Sequence, residues 1–468
     1  MDSRLKLPYI NAVKNELAAC LQSTQVNGNP MAPLTLTMLT LVVLDTLLQL
    51  AARQCNRARL AGPLPAAFAG VYTSAEYNKS TAYLGEGMAL AQWEEIFDLI
   101  LLAGFWLSGG FAWLDSGVRT MTLNPVLCGL LFFGVLSLAK TILGLPFTLY
   151  ATFSIDARYG FNRTTPATFI LDLFKGLVLT AVIGGVLGAV LLWALSRFGS
   201  GYWWLCWLIL IVLTTLLQYL APKVIMPLFN QFEPLEEGEL KHSIEAYARS
   251  IQFPLKQILV MDGSRRSTKS NAFFTGFGKH RRIVLFDTLI DKHPPRELLA
   301  VLAHEMGHYK LRHTLKNMLL SYAYMGLILL GLALALDWPS LPAALGLAPS
   351  IHSSLLAVMI LFTPLNRLLS TILNGYSRRN EYAADRFAAH TTRSPQDMIA
   401  ALLRLARDNF SHLTPHPLWI WLTYSHPPLL ERIQALEKTT QGFNPTANPH
   451  PSDSPAKAPP GHQVNPNK

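Results

Sequence analysis

Seven long apolar runs constrain this chain more than anything else in it. They fall at roughly 32–52, 97–114, 125–151, 168–196, 203–226, 315–336 and 351–374. A helix needs about 20 largely apolar residues to cross the hydrocarbon of a bilayer. Backbone polar groups inside lipid must be satisfied within the segment, so such runs are read as helices. Only 15% of the 468 residues are charged, against roughly a quarter in ordinary soluble proteins, and mean hydropathy is +0.28. The chain reads as a polytopic, mainly α membrane protein. The second run is the shortest.

The net charge of +10 suits a positive-inside bias better than nucleic-acid binding, because no basic stripe with interleaved aromatics occurs. The loop 337–350 has no Lys or Arg, whereas Arg265, Arg266, Lys269, Arg281 and Arg282 precede span six and Arg378, Arg379 and Arg386 follow span seven. The polar regions flanking spans six and seven are therefore expected on the cytoplasmic side. Cys20, Cys55, Cys128 and Cys206 show no C-x-x-C spacing and read as small apolar fillers.

The polar stretch 227–314 contains a helix-like run, Glu236 to Ile251, and two strand-like runs, Ile258–Met261 and Arg282–Phe286. The expected division is a lead-in and spans one to five over 1–226, a polar region over 227–314, spans six and seven over 315–374, a second polar region over 375–440 and a disordered tail over 441–468. Residues 1–30 look amphipathic or loosely ordered, without a cleavable signal. Asp45 and Lys140 lie deep within spans and suggest either a polar, water-filled interior or a buried pair. Asp98, Asp172 and Lys175 are expected near helix ends.

Just before span six stands His304-Glu305-x-x-His308. On a helix, positions i and i+4 share a face, so both imidazoles can hold one zinc ion. Glu305 is then placed to take a proton from a water held there. Two histidines leave zinc short of a ligand. Glu381-x-x-x-Asp385 lies 73 positions beyond His308, after spans six and seven have run out and back to the same membrane face. Glu381 can bind the metal, and Asp385 can accept the other ring N–H of a ligating histidine. His313, at i+5 from His308, should point off that face and read as structural, and His280 in a basic run as solvated.

The chain resembles the type I CAAX prenyl endopeptidase family of membrane zinc metalloproteases. The resemblance rests on Tyr159–Asn162, Ile225–Asn230, Pro234–Leu240, Ser270–Phe277, Arg282–Leu289, His304–Lys310, Arg379–Asp385 and Tyr424–Arg432. It implies a helical barrel of about seven spans around a water-filled chamber, with a cytosolic zinc metalloprotease domain containing a small β-sheet. It implies His426 and Arg432 at the active site, as donors to a developing oxyanion, with His416 contributing less. It also makes Asn271-Ala-Phe-Phe-Thr-Gly276 similar to an edge strand that pairs with substrate backbone, with Asn271, Ala272 and Gly276 as binding residues. The implied partners are the lipid bilayer and a peptide or protein substrate, prenylated or merely membrane-associated, and no nucleic acid.

A broad quality-control protease without prenyl requirement, and a metal-binding transporter or channel using Asp45 and Lys140, are the competing functions. The tail ending Val464–Lys468 has no lysine-pair retrieval pattern, which favours a bacterial cytoplasmic membrane over the endoplasmic reticulum. Glu305→Gln separates protease from transporter. This variant should still bind zinc and fail to cleave a test peptide, and retained cleavage contradicts the protease reading.

Overall fold

The computed structural model describes residues 33–276 and 281–441. The lead-in, the tail and His280 lie outside the described residues. Helices α1 (Pro33–Ala58), α2 (Ser74–Leu107), α3 (Gly110–Met121), α4 (Pro125–Tyr150), α5 (Pro166–Leu179), α6 (Gly185–Phe198) and α7 (Trp203–Leu220) come first. Local chemistry sets their starts. Thr73 and Glu76 form a reciprocal capping box on α2, and the Asn124 side chain caps α4 with Pro125 in its first turn. The polar region follows, with β1 (Phe232–Pro234), α8 (Glu239–Ser250), β2 (Leu255–Met261), β3 (Ala272–Thr275), β4 (Arg281–Phe286) and α9 (Pro295–Lys310). Helices α10 (His313–Leu336) and α11 (Ile351–Thr392) run out and back. The described chain closes with α12 (Pro395–Asp408), α13 (Pro417–Thr423) and α14 (Leu429–Gln441).

Among the described residues, six helices are long and apolar enough to cross a membrane. The expected span 97–114 takes a different form: α2 and α3 meet at a 64° bend within it, and they add a seventh span when the bent pair is counted as one. Helices α5 and α6 form one span through a π-helical segment, Thr180–Gly184. Helix α11 has 42 residues, about 63 Å at ~1.5 Å per residue. That is about twice the hydrocarbon thickness, so its second half projects beyond the bilayer and carries Glu381.

The spans pack at one end. One apolar core takes Met38 and Leu39 from the start of α1, Ala103 and Trp106 from the end of α2, Cys128 and Phe132 from the start of α4, Leu332 from the end of α10 and Ala357 from the start of α11. All belong to the end that bears the loop 337–350. A second core joins α8, the sheet and α9 at the opposite end, through Ile244, Ile283, Leu285, Leu302 and Met306.

Between these cores the walls are open on both faces. On α4, Leu138 and Ile142 are 48% and 58% exposed, and Lys140, about 200° away around the helix, has 52% of its side chain exposed. An apolar face meets lipid. A charged face at mid-span does not, because charge in hydrocarbon is costly. Lys140 therefore faces an internal polar space. There it pairs with Asp98 of α2, which sits inside its span rather than at a helix end. Buried Asp45 pairs with Arg367 of α11 at 3.2 Å through two contacts. Both charges on which a transporter reading would rest are thus engaged in pairs.

The sheet order is β1-β2-β4-β3, with β2 and β4 parallel and the other pairings antiparallel. Strand β3 is an edge. The sheet is tied to the membrane helices by Arg266, which grips Asp172 of α5 through Nε (2.7 Å) and Nη2 (3.0 Å). Leu285 is fully buried under α9. Leu285→Ala should cost about 2–5 kcal/mol, visible as a lower melting temperature of the detergent-solubilised chain. An unchanged melting temperature contradicts this packing.

Candidate metal centre

Helix α9 carries the histidine pair. Pro295 starts it, and Leu298, Leu302, Ala303 and Met306 anchor its apolar face. Its approach to α11 depends on Gly307. A Cβ there would meet Phe387 Cδ1 at 3.0 Å and the Ala384 carbonyl oxygen at 3.4 Å. The close crossing brings Glu381 and Asp385 against His304 and His308.

His304 Nε2 lies 3.1 Å from His308 Nε2. Glu381 Oε2 lies 3.3 Å from His304 Nε2, and Oε1 lies 3.3 Å from His308 Nε2. His304, Glu381 and Asp385 are all buried. The back of each ring is also engaged: His304 Nδ1 lies 2.8 Å from Asp385 Oδ1, and His308 Nδ1 lies 3.0 Å from His313 Nδ1. Protons on the two Nδ1 atoms leave both Nε2 lone pairs facing each other and Glu381. Its Oε2 is buried without a hydrogen-bond partner. Facing lone pairs beside an unpartnered carboxylate oxygen call for a cation. Tetrahedral bonds of about 2.0–2.1 Å place neighbouring donor atoms roughly 3.3 Å apart, which these three separations match. The donor set therefore fits a zinc-type ion.

Burial opposes charge on His304, but Asp385 and Glu381 outweigh it and push this imidazole up to about 9, so that without a metal a proton on Nε2 takes the place of the cation, and metal binding displaces it. Burial also opposes the Arg432 guanidinium, and Asp385 overcomes it and raises the group. The centre is electrostatically built for positive charge.

Arg432 is committed to Asp385 through Nε (2.8 Å) and Nη2 (2.6 Å), with Nη1 3.9 Å from Glu381 Oε2. His426 has 64% of its side chain exposed, with Nε2 3.6 Å from Glu381 Oε1. Its Nδ1 lies 2.9 Å from Ser425 Oγ. Glu305 is half-buried, and no hydrogen bond or ion pair holds it among the described residues. Asn271, Ala272 and Gly276 lie on or beside β3, which packs against α9. The Asn271 side chain accepts from the Ala272 N–H at 2.8 Å. His416 caps α13, accepting from the Leu418 N–H at 3.2 Å.

His313 departs from its expected direction. Arg312 is left-handed (φ 58°), so helix α10 starts anew and His313 turns back onto His308. On one continuous helix an i+5 residue would point elsewhere. The sequence carries no readable signal for that kink.

Comparison with known proteins follows the same division of the chain. The family model described as CAAX prenyl protease N-terminal, five membrane helices, matches residues 54–231, and peptidase family M48 matches residues 234–440. The CAAX prenyl protease 1 homolog of Oryza sativa is 34% identical over 411 residues, covering 86% of this chain and 95% of the relative. The human homolog is 33% identical over 442 residues, covering 84% and 92%. The crystal structure of Ste24p from S. mikatae superposes with a TM-score of 0.83 at 30% identity, covering 87% of this chain and all of that one. The chain belongs to the M48 metalloproteases, in the CAAX prenyl protease 1 family of multi-pass membrane enzymes.

Proposed function

We propose that this chain is a zinc endopeptidase that trims the C-terminus of prenylated CAAX-type peptides at the cytoplasmic face of its membrane. The observation that carries the reading is the convergence of His304 Nε2, His308 Nε2 and the Glu381 carboxylate at 3.1–3.3 Å. The substrate class draws on the names of the relatives. Topology draws on the Lys and Arg that flank spans six and seven.

His304, His308 and Glu381 would hold the ion. Zinc bound there supplies a water of lowered pKa and a Lewis acid for the scissile carbonyl. Glu305, without a partner of its own, accepts the proton of the attacking water and passes it to the leaving amine nitrogen. His426 is the exposed donor at the cleft, suited to the developing oxyanion. Asp385 orients His304. Arg432 holds Asp385 in place, so its contribution to the oxyanion is electrostatic and runs through that pair. His313 orients His308 in the same manner. Such outer partners set ring direction and ligand basicity.

Among the described residues strand β3 pairs on one side only, which leaves its other edge for an extended peptide, and main-chain pairing there is tolerant of sequence. Asn271, Ala272 and Gly276 are the proposed contacts. Mass spectrometry of a farnesylated CAAX peptide and its unmodified twin, incubated with the zinc-loaded chain, tests this reading. Loss of the last three residues from the farnesylated peptide, faster than from its twin, is expected. Equal cleavage of both overturns the prenyl requirement and leaves a general membrane-peptide protease. Cleavage of neither overturns the function.

A further inference from the structure

A second cluster of ligand-type side chains lies at the far end of the membrane bundle. Asp115 of α3, Cys128 of α4 and His352 of α11 each offer one ligand atom, and these atoms all lie within 4.8 Å of one another. The residues are 5%, 3% and 2% exposed. His352 and Glu381 share α11, and the 29 positions that separate them amount to about 44 Å of helix at ~1.5 Å per residue. The cluster is therefore separate from the metal centre described above.

The fold brings these residues together by design of the backbone. Gly129, next to Cys128, lets α4 approach α11 closely. A Cβ at Gly129 would meet Leu192 Cδ1 at 2.7 Å and His352 Cβ at 3.2 Å. Phe132, one turn on from Cys128, packs against the His352 ring with centroids 5.2 Å apart and the planes tilted by 45°. His352 Nε2 lies 2.7 Å from Asp115 Oδ1, and the other oxygen, Oδ2, takes the Arg119 Nε at 2.8 Å. Ser350 Oγ lies 3.2 Å from His352 Nδ1 and 3.4 Å from Nε2, so a proton shifted to Nδ1 finds an acceptor when Nε2 takes an ion.

We propose that Asp115, Cys128 and His352 form a second, structural site for a thiophilic divalent cation such as zinc. A hydrogen-bonded Asp–His pair accounts for two of the three groups. It does not account for a thiol from a third helix converging on the same point. Sulfur, imidazole and carboxylate are the ligand types zinc takes, and neighbouring donors then sit roughly 3.3–3.5 Å apart. Opening the Asp115–His352 contact by about half an ångström accommodates an ion, while Arg119 keeps Asp115 Oδ2. Binding exchanges the thiol proton of Cys128 for the cation and releases that proton to solvent. The ion would staple the far ends of α3, α4 and α11, where the membrane core is densest.

Cobalt(II) distinguishes the two centres, because the histidine–glutamate centre contains no sulfur. The metal-free full-length chain in detergent is titrated with Co2+ alone and followed by absorption and by metal analysis. We expect two Co2+ per chain and a sulfur-to-cobalt charge-transfer band. In Cys128→Ala we expect one Co2+, no such band and retained peptidase activity after zinc loading. Cys128→Ser serves if the alanine variant does not fold. One ion per chain without the band in the intact protein overturns the proposal. A band that persists in the Cys128 variants overturns it as well, since the thiolate then lies elsewhere.

Discussion

The structure depends on one electrostatic problem: two imidazole lone pairs and a carboxylate are buried face to face. His304 and His308 lie one helical turn apart, but Glu381 arrives only after α10 and α11 have crossed the bilayer and returned. Burying such a group uncompensated is costly. The site answers with layers. Asp385 and His313 hold the backs of the rings, and Arg432 neutralises Asp385. What remains at the centre is the demand for a cation, which is the chemistry a metallopeptidase needs. The length of α11 follows from the same demand, since one helix must both span the membrane and deliver the third ligand.

Two separated cores explain how such a site coexists with a hollow membrane domain. Apolar side chains close the far end of the bundle and again the underside of the sheet. Between them the spans are little buried, and charged groups such as Asp98 and Lys140 face inward. A bundle packed along its whole length would leave no place for charge at mid-span. The wall is held instead by its two ends and by clamps such as Arg266–Asp172. The cluster of Asp115, Cys128 and His352 sits at the end that bears most of that burden.

Much of this was legible in the sequence because it rests on short periodicities. The spans follow from apolar length, and the pairs His304/His308 and Glu381/Asp385 follow from i, i+4 spacing. The return of Glu381 to His304 follows from counting spans. The strands at 258–261 and 282–286 were visible as β-branched and aliphatic runs, within a few residues of their bounds. What was not legible turns on single backbone or pairing choices. A left-handed Arg312 redirects His313, and no neighbouring residue announces it. Arg432 also binds Asp385 through two of its nitrogens, a pairing that only tertiary packing decides. The bend between α2 and α3 split a span that hydropathy placed at 97–114.

The central claim is that Glu381 completes the catalytic metal site across a membrane excursion. Zinc content of purified Glu381→Ala, compared with the intact chain under the same metal-limited dialysis, tests it most directly. One ion fewer per chain, with helical circular dichroism unchanged, is the predicted result. An unchanged zinc content in the folded variant would show that His304 and His308 hold the metal without Glu381, and would contradict the account.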